Sequence, residues 1–271
     1  MRIWGKVLGF LFGLMLSKTI IGALLGTWLG HMFDRSRGFS FNGVTSGKED
    51  EISRQAAFFY TTFSVMGHVA KAKGQVTSHD IAFANTYMGK LGLTSQLRKQ
   101  AQDAFREGKS DTFPLKERLV KFKRMMGSRQ DLLLMFLEIQ IQVAFSDGDL
   151  DKEERAVLHT IAKLLGYSSN DLDNLLEMII AGAAFHKQSN RSGQYDGRQS
   201  SAQQLDNAYK LLGVEQSTPL PNIKKAYKKL MSQHHPDKLI AKGLPPEMME
   251  TAKQKTQDIQ AAYDLIAKQG K

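Results

Sequence analysis

With 271 residues, a net charge of +10, 42% hydrophobic residues and no cysteine, the chain has room for more than one domain and cannot be a disulfide-stapled or cysteine–zinc fold. The positive excess is uneven: 6 basic against 1 acidic residue over Met1 to Lys48, 17 against 18 over Glu49 to His186, and 11 against 7 over Leu205 to Lys271. A balanced middle argues against nucleic acid as a partner and points to lipid headgroups at one end and an acidic protein face at the other.

Val7 to Phe33 is almost wholly apolar, and a transmembrane helix needs about 20 such residues. The rival, a secretory signal, has a shorter apolar core ending at a small-residue cleavage site. This run ends instead in His31-Met32-Phe33-Asp34-Arg35, so residues 1–34 read as a short tail plus a retained anchor. Lys18 sits near mid-span, where a lysine costs about 2.5–3.5 kcal/mol, which the surrounding Leu, Ile, Phe and Val residues can offset. Gly5, Gly9 and Gly13, then Gly22, Gly26 and Gly30, recur at every fourth position, a stripe that lets two helices approach and suits a homodimer through this segment. Arg35, Arg37, Lys48 and Arg54 after the span outweigh Arg2 and Lys6 before it, which places the bulk of the chain in the cytoplasm and the short N-terminus outside.

Residues 49–186 hold enough chain for one independent core and read as all helical, with turn signals near Gly74, Gly92, Gly108 to Pro114, Gly127, Asp147-Gly148 and Gly166. Ala70 to Val76 echoes Ala144 to Leu150, each after a long apolar-faced helix and just before another, which suggests an internal duplication. Lys116, Arg118, Lys121, Lys123, Arg124 and Arg129 cluster around Leu115, Leu119, Val120, Phe122 and Met125. Such a run is a solvated helix face, or an amphipathic helix lying near headgroups. Asp147, Asp149, Asp151, Glu153 and Glu154 do not make an EF-hand, because the sixth and twelfth places counted from Asp147 hold Lys152 and Leu158. Asp151 reads better as a helix cap, and His68, His79 and His159 lack metal spacing, so no metal or cofactor is expected. A non-standard cation site at the acidic turn stays open.

Residues 187–204 are dominated by Gly, Ser, Gln and Asn and read as a flexible tether. Over residues 205–271, Leu205, Ala208, Tyr209, Leu211 and Leu212 predict a short helix stopping at Gly213. Ile223, Ala226, Tyr227, Leu230 and Met231 predict a second over Pro219 to His234, and a third covers Pro246 to Lys268. Lys224, Lys225, Lys228 and Lys229 fall on the faces the apolar residues leave, and His235-Pro236-Asp237 closes the hairpin.

The blocks Ala208 to Val214, Ile223 to Leu230, His234 to Lys238 and Ile259 to Leu265 together resemble the J domain of DnaJ-type co-chaperones, with Lys228 standing where many relatives carry arginine. Ala144 to Glu154 resembles the TerB-like helical domain. Taken whole, the chain resembles the DjlA family, membrane-anchored DnaJ-like co-chaperones of Gram-negative bacteria. The resemblance implies an all-α protein of the bacterial inner membrane, dimeric, with a single N-terminal transmembrane helix, a TerB-like bundle, a linker and a C-terminal J-domain hairpin. It implies no catalysis of its own. His235, Pro236 and Asp237 would contact a DnaK-type chaperone and trigger its ATP hydrolysis, steered by Lys224, Lys225, Lys228 and Lys229. The family is also associated with envelope-stress and capsule-regulating phosphorelay signalling. The alternative is a membrane stress sensor or scaffold whose middle domain binds a ligand or signalling partner.

Overall fold

The structure, a computed structural model, describes residues 47–189 and 199–269. Their regular secondary structure is all helical, with no strand among the described residues. The middle region carries α1 (Gly47–Lys71), α2 (Ser78–Lys90), α3 (Ser95–Gly108), α4 (Leu115–Met126), α5 (Gln130–Ala144) and α6 (Lys152–Leu165). Then follow α7 (Ser169–Ser189), α8 (Gln199–Leu211), α9 (Leu220–His234), α10 (Pro236–Ala241), a 3-10 turn (Pro246–Met248) and α11 (Met249–Gln269). Val7 to Phe33, its glycine stripe and Lys18 lie outside the described residues, among which no helix is long and apolar enough to cross a membrane.

Local chemistry sets the helix ends. Thr77 caps α2 with its hydroxyl on the Asp80 N–H, and Asp80 reaches back to the Thr77 N–H at 2.7 Å. Asp151 caps α6 as expected, with its own N–H donating to Glu154 at 3.3 Å. Gly166 ends α6 at φ 101°, a conformation that favours glycine.

The helix α5 is apolar on nearly every face, which is the pattern of a helix enclosed by others. Around it Phe58, Phe122 and Phe136 form an aromatic knot, with ring centroids 4.6 Å apart for Phe122–Phe136 and 5.9 Å for Phe58–Phe122. The crossing of α1 and α3 is tight enough that a Cβ on Gly108 would collide with the backbone carbonyl of Ser64, and one on Gly67 with that of Phe105.

A second, smaller core gathers Ala208, Leu211 and Leu212 of α8 and its end, Ile223 and Leu230 of α9, and Ile259, Ala262 and Ile266 of α11. Phe185, near the end of α7, is buried in it as well, and Gly182 lets the Leu211 side chain approach α7. So α7 starts in one core and finishes in the other.

Two expectations change. Of residues 187–204, expected to be a tether, 187–189 continue α7 and 199–204 belong to α8; 190–198 lie outside the described residues. The C-terminal hairpin also contains a further short helix, α10, directly after the His-Pro junction, where a plain loop was expected. Proline at the first position of a helix costs no hydrogen bond, since that N–H has no partner within the helix, and Pro236 starts α10 in this way.

Candidate functional site

The site begins with the constraint that proline places on its predecessor. A residue before proline is pushed out of the helical region, and His235 sits at φ −62° and ψ 122°, extended, as the single break between α9 and α10. Its carbonyl still accepts from Leu239 N–H at 3.0 Å, so α10 starts at once. Across the break, Lys238 Nζ donates to Ser232 Oγ at 2.8 Å and braces the two helices. His235 and Asp237 are exposed and Pro236 is half-buried. Lys224, Lys225, Lys228 and Lys229 are all exposed on α9, opposite the buried Ile223 and Leu230.

Behind this surface the helices are held by aromatic contacts. Tyr227 and Tyr263 stack at 4.4 Å with an 18° interplanar angle, and the Tyr227 hydroxyl donates to Gln260. Leu212 and Leu230 are buried, while Tyr209, Tyr227 and Tyr263 pack half-buried against the same core. These five residues, drawn from α8 and its end, α9 and α11, come together in one small core.

The residues flanking the junction are in the opposite environment. His234 is 2% exposed and Leu239 0%, and both face the middle bundle. Leu239, Leu244, Met248 and Ala252 belong to the large core and not to the small one. Glu138 of α5 carries Lys255 Nζ at 3.2 Å on one oxygen and lies 3.7 Å from His234 Nδ1 with the other. Asp131, two turns earlier on α5, pairs with Lys242. Gly243, at φ 106°, packs against the Arg54 side chain. Burial lowers the His234 pKa from its ordinary value, against the pull of Glu138 and Asp131 and together with the push of Lys255. The imidazole is therefore neutral, and the ion pair that matters is Lys255–Glu138. Asp131 and Glu138 are the two acids, seven residues apart, on a largely apolar helix, which was the available signal in the sequence.

A second polar cluster lies where the turns after α1 and α5 meet. Lys73 Nζ stands 2.8 Å from Asp147, 3.3 Å from Glu154 and 3.4 Å from Asp80, the last two with fully buried side chains. Burial works against charge on Lys73, but the hydrogen bond to Asp147 and the fields of Glu154 and Asp80 outweigh it and raise its pKa. Asp147 is held below the ordinary range by its Lys73 hydrogen bond, and burial pushes Glu154 up. The acidic turn thus folds around a lysine from the turn after α1. Among the described residues no group of three or more His, Cys, Asp or Glu is arranged to hold a metal ion.

The basic run on α4 is dispersed. Arg118 pairs with Glu107 and lies over the Tyr60 ring, Arg129 donates to the Met126 carbonyl at 3.2 Å, and Leu119, Phe122 and Met126 serve the core. It behaves as the solvated face of a core helix.

Comparison with known proteins agrees with this partition. Residues 1–47 match the family described as co-chaperone DjlA transmembrane domain, residues 60–177 the tellurite resistance protein TerB family, and residues 207–271 the DnaJ domain. Co-chaperone protein DjlA of Yersinia pestis is 49% identical over 276 residues, covering 99% of each chain. The Photobacterium profundum protein of that name is 48% identical over 274 residues, covering 98% of each. That of Escherichia coli K12 is 47% identical over 272, covering 99% of this chain and 98% of its own. The chain belongs to the DjlA co-chaperone family. No solved structure gives a significant match. In DjlA terms, α8, α9 and α11 build the J domain and α1 to α7 contain the TerB-like bundle. The His-Pro-Asp junction lies at the edge where the two meet.

Proposed function

We propose that this chain is a membrane-anchored regulatory co-chaperone that recruits a DnaK-type chaperone and stimulates its ATP hydrolysis. The observation that carries this is the exposure of His235 and Asp237 at a one-residue helix break, beside four exposed lysines on the preceding helix. A cationic helix steers an acidic partner surface and speeds encounter, while the rigid break presents the two polar side chains at a fixed angle. Residues 1–34 would be the anchor in the bacterial inner membrane, with a short periplasmic N-terminus and cytoplasmic domains beyond. Gly5, Gly9, Gly13, Gly22, Gly26 and Gly30 would bring two copies together. Residues 49–186 and 205–271 are the folding domains of this reading, and its setting would be envelope-stress or capsule-regulating phosphorelay signalling. Catalysis belongs to the partner.

The test is single-turnover ATP hydrolysis by purified DnaK with the detergent-solubilised full chain. Stimulation that disappears in His235→Gln, with circular dichroism unchanged, supports the reading. Stimulation that survives in His235→Gln would overturn it and leave the scaffold reading.

A further inference from the structure

Around the junction the charged side chains of Lys224, Lys225, Lys228, Lys229 and Asp237 are exposed, whereas His234 and Leu239 beside it are buried. His234 precedes His235 directly, and Leu239 and Lys242 follow within two turns, so the junction is gripped on both sides. The grip uses two kinds of contact. Leu239, Leu244, Met248 and Ala252 give their apolar surface to the core of the other domain. Glu138 and Asp131 give their charges to Lys255 and Lys242. A carboxylate as buried as Glu138, with a side chain 6% exposed, needs a cation at hand, and the nearest is Lys255, at 16% exposure, from α11. The partner that completes Glu138 is thus supplied by the J domain.

This arrangement leaves the outer surface open. The four lysines, His235 and Asp237 stay exposed while His234 and Leu239 are covered. Docking therefore presents the junction and does not mask it.

We infer that Glu138 and Asp131 of the middle domain are positioning residues for the His-Pro-Asp junction: through Lys255 and Lys242 they clamp the J domain to the middle bundle, so that the junction is offered to its partner from a fixed platform. This rests on the co-chaperone reading for its consequence but not for its geometry. A junction that swings free loses orientation, and orientation is where positioned groups gain most of their effect. The middle domain is then part of the recognition device.

The experiment uses the full chain in detergent, as wild type, Glu138→Gln, Lys255→Met, the double variant and Lys255→Arg. The first readout is amide hydrogen exchange. Glu138→Gln and Lys255→Met should raise exchange of the amides from Leu239 to Met248 while leaving those of Ile223 and Ile259 protected. The second readout is the co-chaperone concentration giving half-maximal stimulation of DnaK. It should rise about tenfold in each single variant, no further in the double, and much less in Lys255→Arg. Unchanged exchange would overturn the clamp whatever the activity does. Raised exchange with an unchanged half-maximal concentration would overturn the positioning role. If wild type fails to stimulate DnaK, the co-chaperone reading falls alone, and exchange still decides the clamp.

Discussion

His234 and His235 are neighbours in sequence and opposites in environment. One is 2% exposed, neutral and pressed against Glu138; the other is exposed at the break before Pro236. The proline makes the difference. By forcing its predecessor out of the helix it turns adjacent side chains in different directions, one toward a core and one toward solvent. Residue type alone says little about such a pair, because burial decides what an imidazole can do.

The strongest way to break the comparison is to exchange the roles. His235→Gln should abolish stimulation of DnaK while leaving the melting temperature where it was, because an exposed side chain without structural partners contributes little to stability. Leu239→Ala, four residues further on, should do the reverse in part. Removing a fully buried leucine from a core typically costs about 2–5 kcal/mol, readable by urea denaturation, with stimulation lost through loosening of the junction.

The buried histidine supplies the next test. Burial holds its folded-state pKa below the ordinary value of 6.5, so below that value the unfolded chain binds more protons than the folded one. Stability then rises with pH through this window: the contribution of His234 is fully present above the ordinary value and fades as pH falls toward the depressed one. Asp131 and Glu138 on α5 pull the other way, and Lys255 on α11 reinforces the effect. His234→Phe keeps a buried aromatic ring and removes both titratable nitrogens, Nδ1, which lies 3.7 Å from Glu138, and Nε2, which has no hydrogen-bond partner. Thermal melts from about pH 7.5 to about pH 5.5 should give a flatter stability profile for the variant, with little change at the upper end.

The smallest effects should come from the outer face. Lys228→Ala and Lys229→Ala, both exposed, should each shift stability by less than about 0.5 kcal/mol. They should weaken the salt-sensitive part of the encounter with DnaK, seen as a flatter dependence of association rate on ionic strength.

Much of this was legible in the sequence for a simple reason. The J-domain blocks, the apolar faces of α9 and α11 and the cap at Asp151 depend on residues close together in the chain. The echo between Ala70 to Val76 and Ala144 to Leu150 was legible too, but not its outcome, that Lys73 would reach Asp147 across 74 residues. The contacts between the J domain and the middle bundle include Asp131 with Lys242, 111 residues apart, and no local pattern announces such a pair. The extension of α7 to Ser189 was hidden in the same way: Phe185 finds a place in the second core, which a composition rich in polar residues just beyond it does not show.

The lysine shared by the two turns makes a single electrostatic unit of them. Asp80 and Glu154 occupy matching places in their copies, yet Lys73 has Asp147 as its counterpart. A symmetric protein made of two second halves would crowd carboxylates with no cation among them, and one made of two first halves would set two ammonium groups face to face. Losing the second turn would leave Lys73 with Asp80 alone, and losing the first would leave the buried Glu154 without its cation.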